Sequence, residues 1–361
     1  MRTDLCDLLG IEHPIVGFSP SEHVVAAISR AGGLGVLGCV RFNDAAELDT
    51  VLTWLDHSTG GRPYGVDVVM PSSVPTEGLP DDLGKMIPPG HRDFVESTLL
   101  RLGVPPLDAA STRPGVLGWL HSVARSHVEV ALNHPVRLIA NALGPPPADV
   151  ITQAHQRGLL VAALAGRADH ARSHVASGVD LVVAQGYEAG GHTGEIAGMV
   201  LVPEVVDAVD VPVLAAGGIG SGRQIAAALA LGARGVWMGS VWLGTTEYQS
   251  GPALREALLR ASSSDTVRSR VYSGKPARLL RNRWTEAWSD REAPAPLPMP
   301  LQNLLVSQAH DRLMASGDPT VVPMPVGQIV GRMNEVRPVA EVLTDLVTEA
   351  DETLVRLHKL L

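Results

Sequence analysis

The residues best suited to chemistry lie in Ala184–Gly194, AQGYEAGGHTG, where His192 stands among four glycines. A histidine exchanges a proton near neutral pH. Glycines let a backbone approach a flat ligand closely and take positive φ. The stretch follows an apolar run, Val179–Val183, which has the pattern of a buried parallel strand. A strand that ends in glycines and a titratable side chain suits an active-site loop at the carboxyl end of a barrel or sheet strand. A glycine-rich turn carrying a surface histidine fits the same letters. A second signal follows. Val211–Ala216 has the pattern of another buried strand and opens into Gly217-Gly218-Ile219-Gly220-Ser221-Gly222. An alanine-rich helix then starts near Arg223, runs to Leu231 and is closed by Gly232. Next comes Arg234–Ser240, a short strand that finishes Trp237-Met238-Gly239-Ser240. Two successive strand-to-helix turns thus offer backbone N–H groups and a helix N-terminus, the arrangement that binds a phosphate. In (β/α)8 barrels that site is frequently built after the last two strands.

These motifs, AQGYEAGGHTG followed by PVLAAGGIGSGRQIAAALALGARGVWMGS, resemble those of the nitronate monooxygenases, formerly called 2-nitropropane dioxygenases. The same motifs occur in related flavin enoyl-acyl-carrier-protein reductases. The resemblance is strongest from about Val161 to Thr246, extends to GIEHPIV, AGGLGVLG and SGKPARLLRN, and is poor from about Met70 to Pro135. It implies an FMN cofactor on a barrel. Gln185 would contact the flavin ring, with the backbone of Gly190 and Gly191 against it. Gly217, Gly218, Gly220 and the segment Trp237, Met238, Gly239, Ser240 would hold the phosphate and ribityl chain. Gly17 would end the first strand beneath the flavin, without the methionine usual nearby. Asp67 stands where the family commonly has an asparagine that touches the pyrimidine ring; an ionised Asp is acceptor-only. His192 would stand near the reactive flavin nitrogen, removing the proton beside a nitro group or stabilising a bound nitronate. The nitronate would then pass an electron to FMN before reacting with O2. Met324–Gln328 is similar to a segment that returns to the substrate pocket. Two other functions fit: an NAD(P)H-dependent FMN enzyme acting on an enoyl or acyl thioester, and a non-catalytic flavin binder. Glu188 and Glu195 flank the histidine, in positions suited to support rather than chemistry.

The elements that must position these residues are legible along the chain. Its 361 residues allow one large domain or two small ones, and 45% hydrophobic with 4% aromatic residues implies an aliphatic core. Strand patterns fall near residues 15, 36, 66, 138, 161, 181, 213 and 236, alternating with helices. That count predicts an α/β fold, a closed (β/α)8 TIM barrel over 1–246. An open doubly wound sheet is the alternative, but its glycine fingerprint belongs near the start of the chain. The stretch 71–134 is long for a strand-to-helix connection and contains helices around Asp93–Leu102 and Gly118–Leu132. It suits a lid over the site or a plain surface excursion. His91, His121, His127 and His134 lie there without metal-ligand spacing, so no metal is expected. Residues 247–361 predict a mostly helical extension: Pro252–Ala261, an extended segment and turn at Arg268–Arg278, Leu301–Ser316, and an amphipathic Val339–Leu361 that packs on the barrel or supports a homodimer. A net charge of −9 argues against nucleic acid as a general partner. No apolar run is long enough to span a membrane, and the first residues lack a signal-peptide core. Two cysteines, Cys6 and Cys39, suit a reducing cytoplasm. Cys39 suits a small buried core position, or one beside the flavin.

Overall fold

The computed structural model describes residues 1–70, 80–106, 118 and 120–360. Eight parallel strands close a barrel: β1 (Ile15–Ser19), β2 (Leu34–Gly38), β3 (Tyr64–Val69), β4 (Leu138–Ala142), β5 (Leu160–Ala165), β6 (Leu181–Gln185), then, after a two-residue strand β7 (Gly191–His192), β8 (Val213–Ala216) and β9 (Gly235–Met238). β9 returns to β1 with Val16 opposite Trp237, completing the ring. The (β/α)8 barrel expected from the strand count is thus the fold, with each strand at its expected place.

The strands are apolar on both faces because both are buried. Val16, Val36, Leu138, Ala140, Ala162, Leu181, Val183, Leu214, Ala216 and Trp237 pack together as the barrel interior. The N-terminal helix Asp4–Leu9 adds Leu5 and Leu9 to that cluster. The alternate residues, among them Ile15, Val182, Ala184, Val213, Ala215, Val236 and Met238, face the surrounding helices. Period-two alternation therefore sorts the strand ends: Phe18, Asp67, Gln185 and Trp237 fall on the inner face, Gly17 and Met238 on the outer.

Local rules set the helix ends. Asp44 caps the helix Ala45–Ser58 by accepting from the amide of Ala46. Ser221 caps Gly222–Ala230 by accepting from the amide of Gln224. Ser21 occupies the cap position of Glu22–Arg30 but makes no capping bond; Ser19 instead accepts from its amide.

Between β3 and β4 the described residues form helices Pro80–Lys85, Pro89–Arg101 and His121–Ala131. Residues 71–79, 107–117 and 119, which belong to the expected lid, lie outside the described residues. The helix Pro89–Arg101 is anchored rather than free. Val95 and Leu99 share an apolar cluster with Trp284, Trp288, Leu305 and Val306. Arg312 reaches across to the Glu96 carboxylate and the Pro105 carbonyl.

After the barrel, β10 (Thr266–Ser269) and β11 (Ala277–Leu280) form an antiparallel pair, and β11 takes β7 as its other neighbour, with Ala277 opposite His192. The sequence pattern showed an extended segment and turn here, but not its attachment to the histidine loop. The C-terminal helix Val339–His358 lies on Gly222–Ala230 at very close range: a Cβ on Gly222 would sit 2.2 Å from the Ala350 amide nitrogen. Glu349 accepts from the amide of Gly222 and pairs with Arg223. No helix among the described residues is long and apolar enough to cross a membrane.

Gly222→Ala should therefore push the C-terminal helix off the barrel and lower the unfolding free energy by about 1–3 kcal/mol, the usual range for overpacking. Urea melts of the two proteins check this, and an unchanged midpoint contradicts the packing.

Candidate active site

Glycine turns at the carboxyl ends of β6 and β9 meet at one residue of the C-terminal extension, Gly327, and the turn after β8 packs on the same β6 loop. Its amide donates to the Ser240 hydroxyl at 2.8 Å, and the next amide, of Gln328, donates to the Glu188 carbonyl at 2.9 Å. A Cβ on Gly327 would lie 2.7 Å from that carbonyl oxygen and 3.0 Å from the Gly190 amide nitrogen. Conversely, a Cβ on Gly190 would lie 2.7 Å from the Gly327 nitrogen. The chain itself thus requires glycine at 190 and 327: two backbones touch there. Gly217 and Gly218 complete the cluster, with φ of +95° and +69°. A Cβ on Gly217 would stand 3.1 Å from the Ala189 amide nitrogen, and one on Gly218 3.2 Å from the Glu188 side chain. The Glu188 carboxylate accepts from the amide of Gly198, at the start of the helix Gly198–Val206, a favourable place for an anion. It is a structural strut of this loop. Glu195 is exposed and pairs only loosely with Arg268, at 3.4 Å.

The turn after β8 splits its amides between two uses. Gln224 folds back, accepting from the amide of Gly220 and donating to the Gly218 carbonyl. The amides of Gly222 and Gln224 are taken by Glu349 and Ser221. The helix N-terminus is therefore satisfied within the chain, and only a subset of the expected phosphate donors is open. The amides of Gly218, Ile219 and Ser240 donate to no acceptor among the described residues. Buried or partly buried amides seek partners, and these three belong to the turns after β8 and β9. Gly220 serves a different need: a Cβ there would meet Ile329 at 2.2 Å.

On the inner face of β3, Asp67 is 7% exposed and its Oδ1 has no hydrogen-bond partner. Burial raises its carboxyl to about 7. A buried acid without a partner is costly unless a ligand completes it. Burial also pushes the Cys39 thiol up, with the Asp67 charge adding to the effect. Gln185 ends β6 beside Ala216, and Phe18 stacks on Trp237 with ring centroids 6.3 Å apart. Gly17 and Met238 face the outer layer; a Cβ on Gly17 would meet Ile28 at 2.5 Å and Trp242 at 2.9 Å. Either residue meets a ligand in the mouth only through its backbone. Gly239 carries the chain from Met238 into the Ser240 turn, and the Met238 carbonyl accepts from the Trp242 indole.

His192 is held from outside the barrel. β7 pairs it with β11, and its Nε2 lies 2.6 Å from the Ser273 hydroxyl. Gly191, at φ +73°, turns the chain into this pairing. Desolvation, aided by the positive charge of Lys275, lowers the imidazole from 6.5 to about 4, so it is neutral at physiological pH. Lys275 is itself lowered by burial. Below, Arg278 is 2% exposed and satisfies its guanidinium without a carboxylate: it donates to the Tyr187 carbonyl and the Thr266 hydroxyl and lies 4.4 Å from the Tyr187 ring centre. It clamps the first residues of the histidine loop. Ser273, Lys275 and Arg278 were not singled out from sequence. They lie within SGKPARLLRN, a stretch noticed for resemblance alone, some 80 positions from His192, and no local periodicity links the two. No group of three His, Cys, Asp or Glu among the described residues is placed to hold a metal ion.

A family model described as "Nitronate monooxygenase" matches residues 2–349. The chain is 51% identical to a protein of Mycobacterium tuberculosis named "Putative monooxygenase", covering 100% of this chain and 99% of the other. It is 28% identical to a "Probable nitronate monooxygenase" of Staphylococcus aureus, covering 98% of each. Among solved structures it is similar to a nitroalkane oxidase from Streptomyces ansochromogenes, with 29% identity, a TM-score of 0.83, and 98% and 99% of the two chains covered. It is also similar to FabK from Thermotoga maritima, with 29% identity, a TM-score of 0.77 and both chains covered in full.

The raised carboxyl of Asp67 makes a stability prediction of definite sign. Its folded value, about 7, exceeds the ordinary 3.8, so its contribution is fully present below about pH 4 and is lost as pH rises towards 7. Asp67→Asn removes that loss. Its advantage over the parent should be greatest near pH 7.5 and shrink by up to about 1.4 kcal/mol per pH unit towards pH 4. Urea melts across that range read the difference; a pH-independent gap contradicts a buried, unpaired acid.

Proposed function

The chain belongs to the nitronate monooxygenase family, and from that premise we propose that it binds FMN at the mouth of its barrel and oxidises alkyl nitronates with O2. The observation that carries this reading is His192, a neutral imidazole held by Ser273 at the end of the glycine-rich loop that follows β6. The residues fit the cofactor. The open amides of Gly218, Ile219 and Ser240 suit its phosphate. Gln185 and the unpartnered Asp67 suit the polar edge of its ring system. When bound, FMN supplies the electron acceptor that no amino-acid side chain here provides.

The protein's own part is to bind, orient and move a proton. A neutral nitroalkane must lose the proton on the carbon beside its nitro group. The lone pair of a neutral imidazole takes that proton, and the C–H electron pair becomes the C=N bond of the nitronate. A nitronate supplied as the anion skips this step. Lys275, half-buried near the ring, contributes a favourable potential for the anion that results. In this assignment the barrel, 1–246, carries the cofactor, and the extension, 247–361, does more than cover it: it supplies Ser273, Lys275 and Gly327 to the same site. The second reading, an NAD(P)H-dependent FMN enzyme acting on an enoyl or acyl thioester, uses the same site and makes His192 the proton donor to substrate carbon.

His192→Asn should keep its flavin and lose at least about 100-fold in kcat/KM with a neutral nitroalkane, the low end for general-base catalysis, while turnover of the preformed nitronate persists. Equal turnover of nitroalkane by the variant and the parent overturns the base role. Because the imidazole lies near 4 rather than 6.5, it stays a base throughout the neutral range. With Asp67→Asn, which removes the other group that titrates near 7, kcat/KM for nitroalkane should be flat from about pH 5.5 to 7.5 and fall only towards pH 4; an inflection near 6.5 contradicts the desolvated histidine.

A further inference from the structure

Ser273 lies in the turn between β10 and β11, and its buried hydroxyl meets the ring of His192 at 2.6 Å. The same oxygen accepts from the amide of Lys275 at 3.4 Å, so the tight turn 273–275 fixes where it stands. Gly274, at φ +87°, makes the turn, with the Arg270 carbonyl accepting from its amide. The position of the hydroxyl is set, but its proton is free to rotate.

A hydroxyl carries one donor and two acceptor sites. Facing Nε2, it has two complementary states. When the O–H donates to Nε2, the ring proton sits on Nδ1, which is then a donor. When Nε2–H donates to the oxygen, Nδ1 is a bare lone pair, which is a base. The Lys275 amide uses one acceptor site in both states. The hydroxyl proton has no other acceptor among the described residues, which favours the first state at rest. Once Nδ1 takes a proton, both ring nitrogens are donors, and Nε2–H needs an acceptor in a site that burial makes unkind to charge.

We propose that Ser273 is the positioning residue that selects the proton state His192 presents: a base for a neutral nitroalkane and a donor for an anionic nitronate. This rests on the nitronate-oxidising reading given above. The proton balance closes within the pair. The nitroalkane C–H proton passes to Nδ1, the ring becomes imidazolium, Nε2–H turns to the Ser273 oxygen, and the substrate keeps the electron pair as nitronate. Without the hydroxyl, the imidazolium leaves a buried N–H unpaired, whereas the donor form for nitronate survives. The charged side chain near the ring is Lys275, from the same turn; Arg278, on the neighbouring strand, is already committed to Tyr187 and Thr266.

The test compares Ser273→Ala and Ser273→Thr with the parent, as purified with flavin, on a neutral nitroalkane and on its preformed nitronate. Ser273→Ala should lose roughly 10- to 100-fold in kcat/KM for the nitroalkane, the loss expected for one hydrogen bond to a charged group. It should lose much less for the nitronate, because the donor form of the ring does not need the hydroxyl. Threonine, which keeps the hydroxyl, should restore most of the loss. Parallel loss on both substrates, or no loss on either, overturns the proposal. A second readout does not depend on turnover: nitrogen-15 chemical shifts of the His192 ring should report the Nδ1–H form in the parent and move on Ser273→Ala. Unchanged shifts overturn the proposal even if the protein oxidises neither compound, a result that on its own counts against the nitronate reading.

Discussion

The site depends on a backbone contact. Gly327 lies against Gly190, Glu188 and Ser240 at distances that leave no room for a Cβ. That contact ties the turns after β6 and β9 to a segment more than 80 residues further on, and the β8 turn packs on the same β6 loop through Gly217 and Gly218. Close packing makes such a junction nearly incompressible. The turns therefore hold their shape before any ligand arrives, and the amides they leave open are preorganised. The same junction explains why the extension belongs to the site: without it the loop 186–192 would have neither Gly327 beneath it nor β11 beside it.

The extension also controls electrostatics. It delivers Ser273 to the imidazole and Lys275 to its vicinity, while Arg278 fixes the loop by its Tyr187 carbonyl. Burial keeps the imidazole neutral near pH 7 and raises the Asp67 carboxyl to about 7, so that it is about half protonated there and both groups are pushed towards uncharged forms. A protonated carboxyl at Asp67 offers a donor and an acceptor, the same pair an asparagine offers. A site built from neutral donors and a neutral base suits chemistry that creates an anion.

Much of the architecture was legible because barrel strands announce themselves locally. Short apolar runs such as Leu181–Gln185 and Val213–Ala216, each ended by glycine, need no partner to be recognised. The motif carrying His192 and the turns at Gly217 and Gly239 were visible for the same reason. What stayed hidden is long-range. Gly327 lies in Met324–Gln328, a segment noticed by resemblance, but nothing in the spacing of Ser273 marks it as a neighbour of His192. The self-capping of Gly222–Ala230 by Glu349 depends on a helix over 100 residues away. The structural reasons for the glycines differ: Gly17 and Gly220 clear the way for Ile28, Trp242 and Ile329, while Gly217 and Gly218 supply positive φ.

The account rests on a flavin reduced by the substrate itself at this mouth. Anaerobic titration of the purified protein, followed by flavin absorbance, tests that most directly. The account predicts a flavin-bound protein that is bleached by an alkyl nitronate and left oxidised by NADH or NADPH. Rapid bleaching by a nicotinamide with none by nitronate, or a protein that binds no flavin, would contradict it.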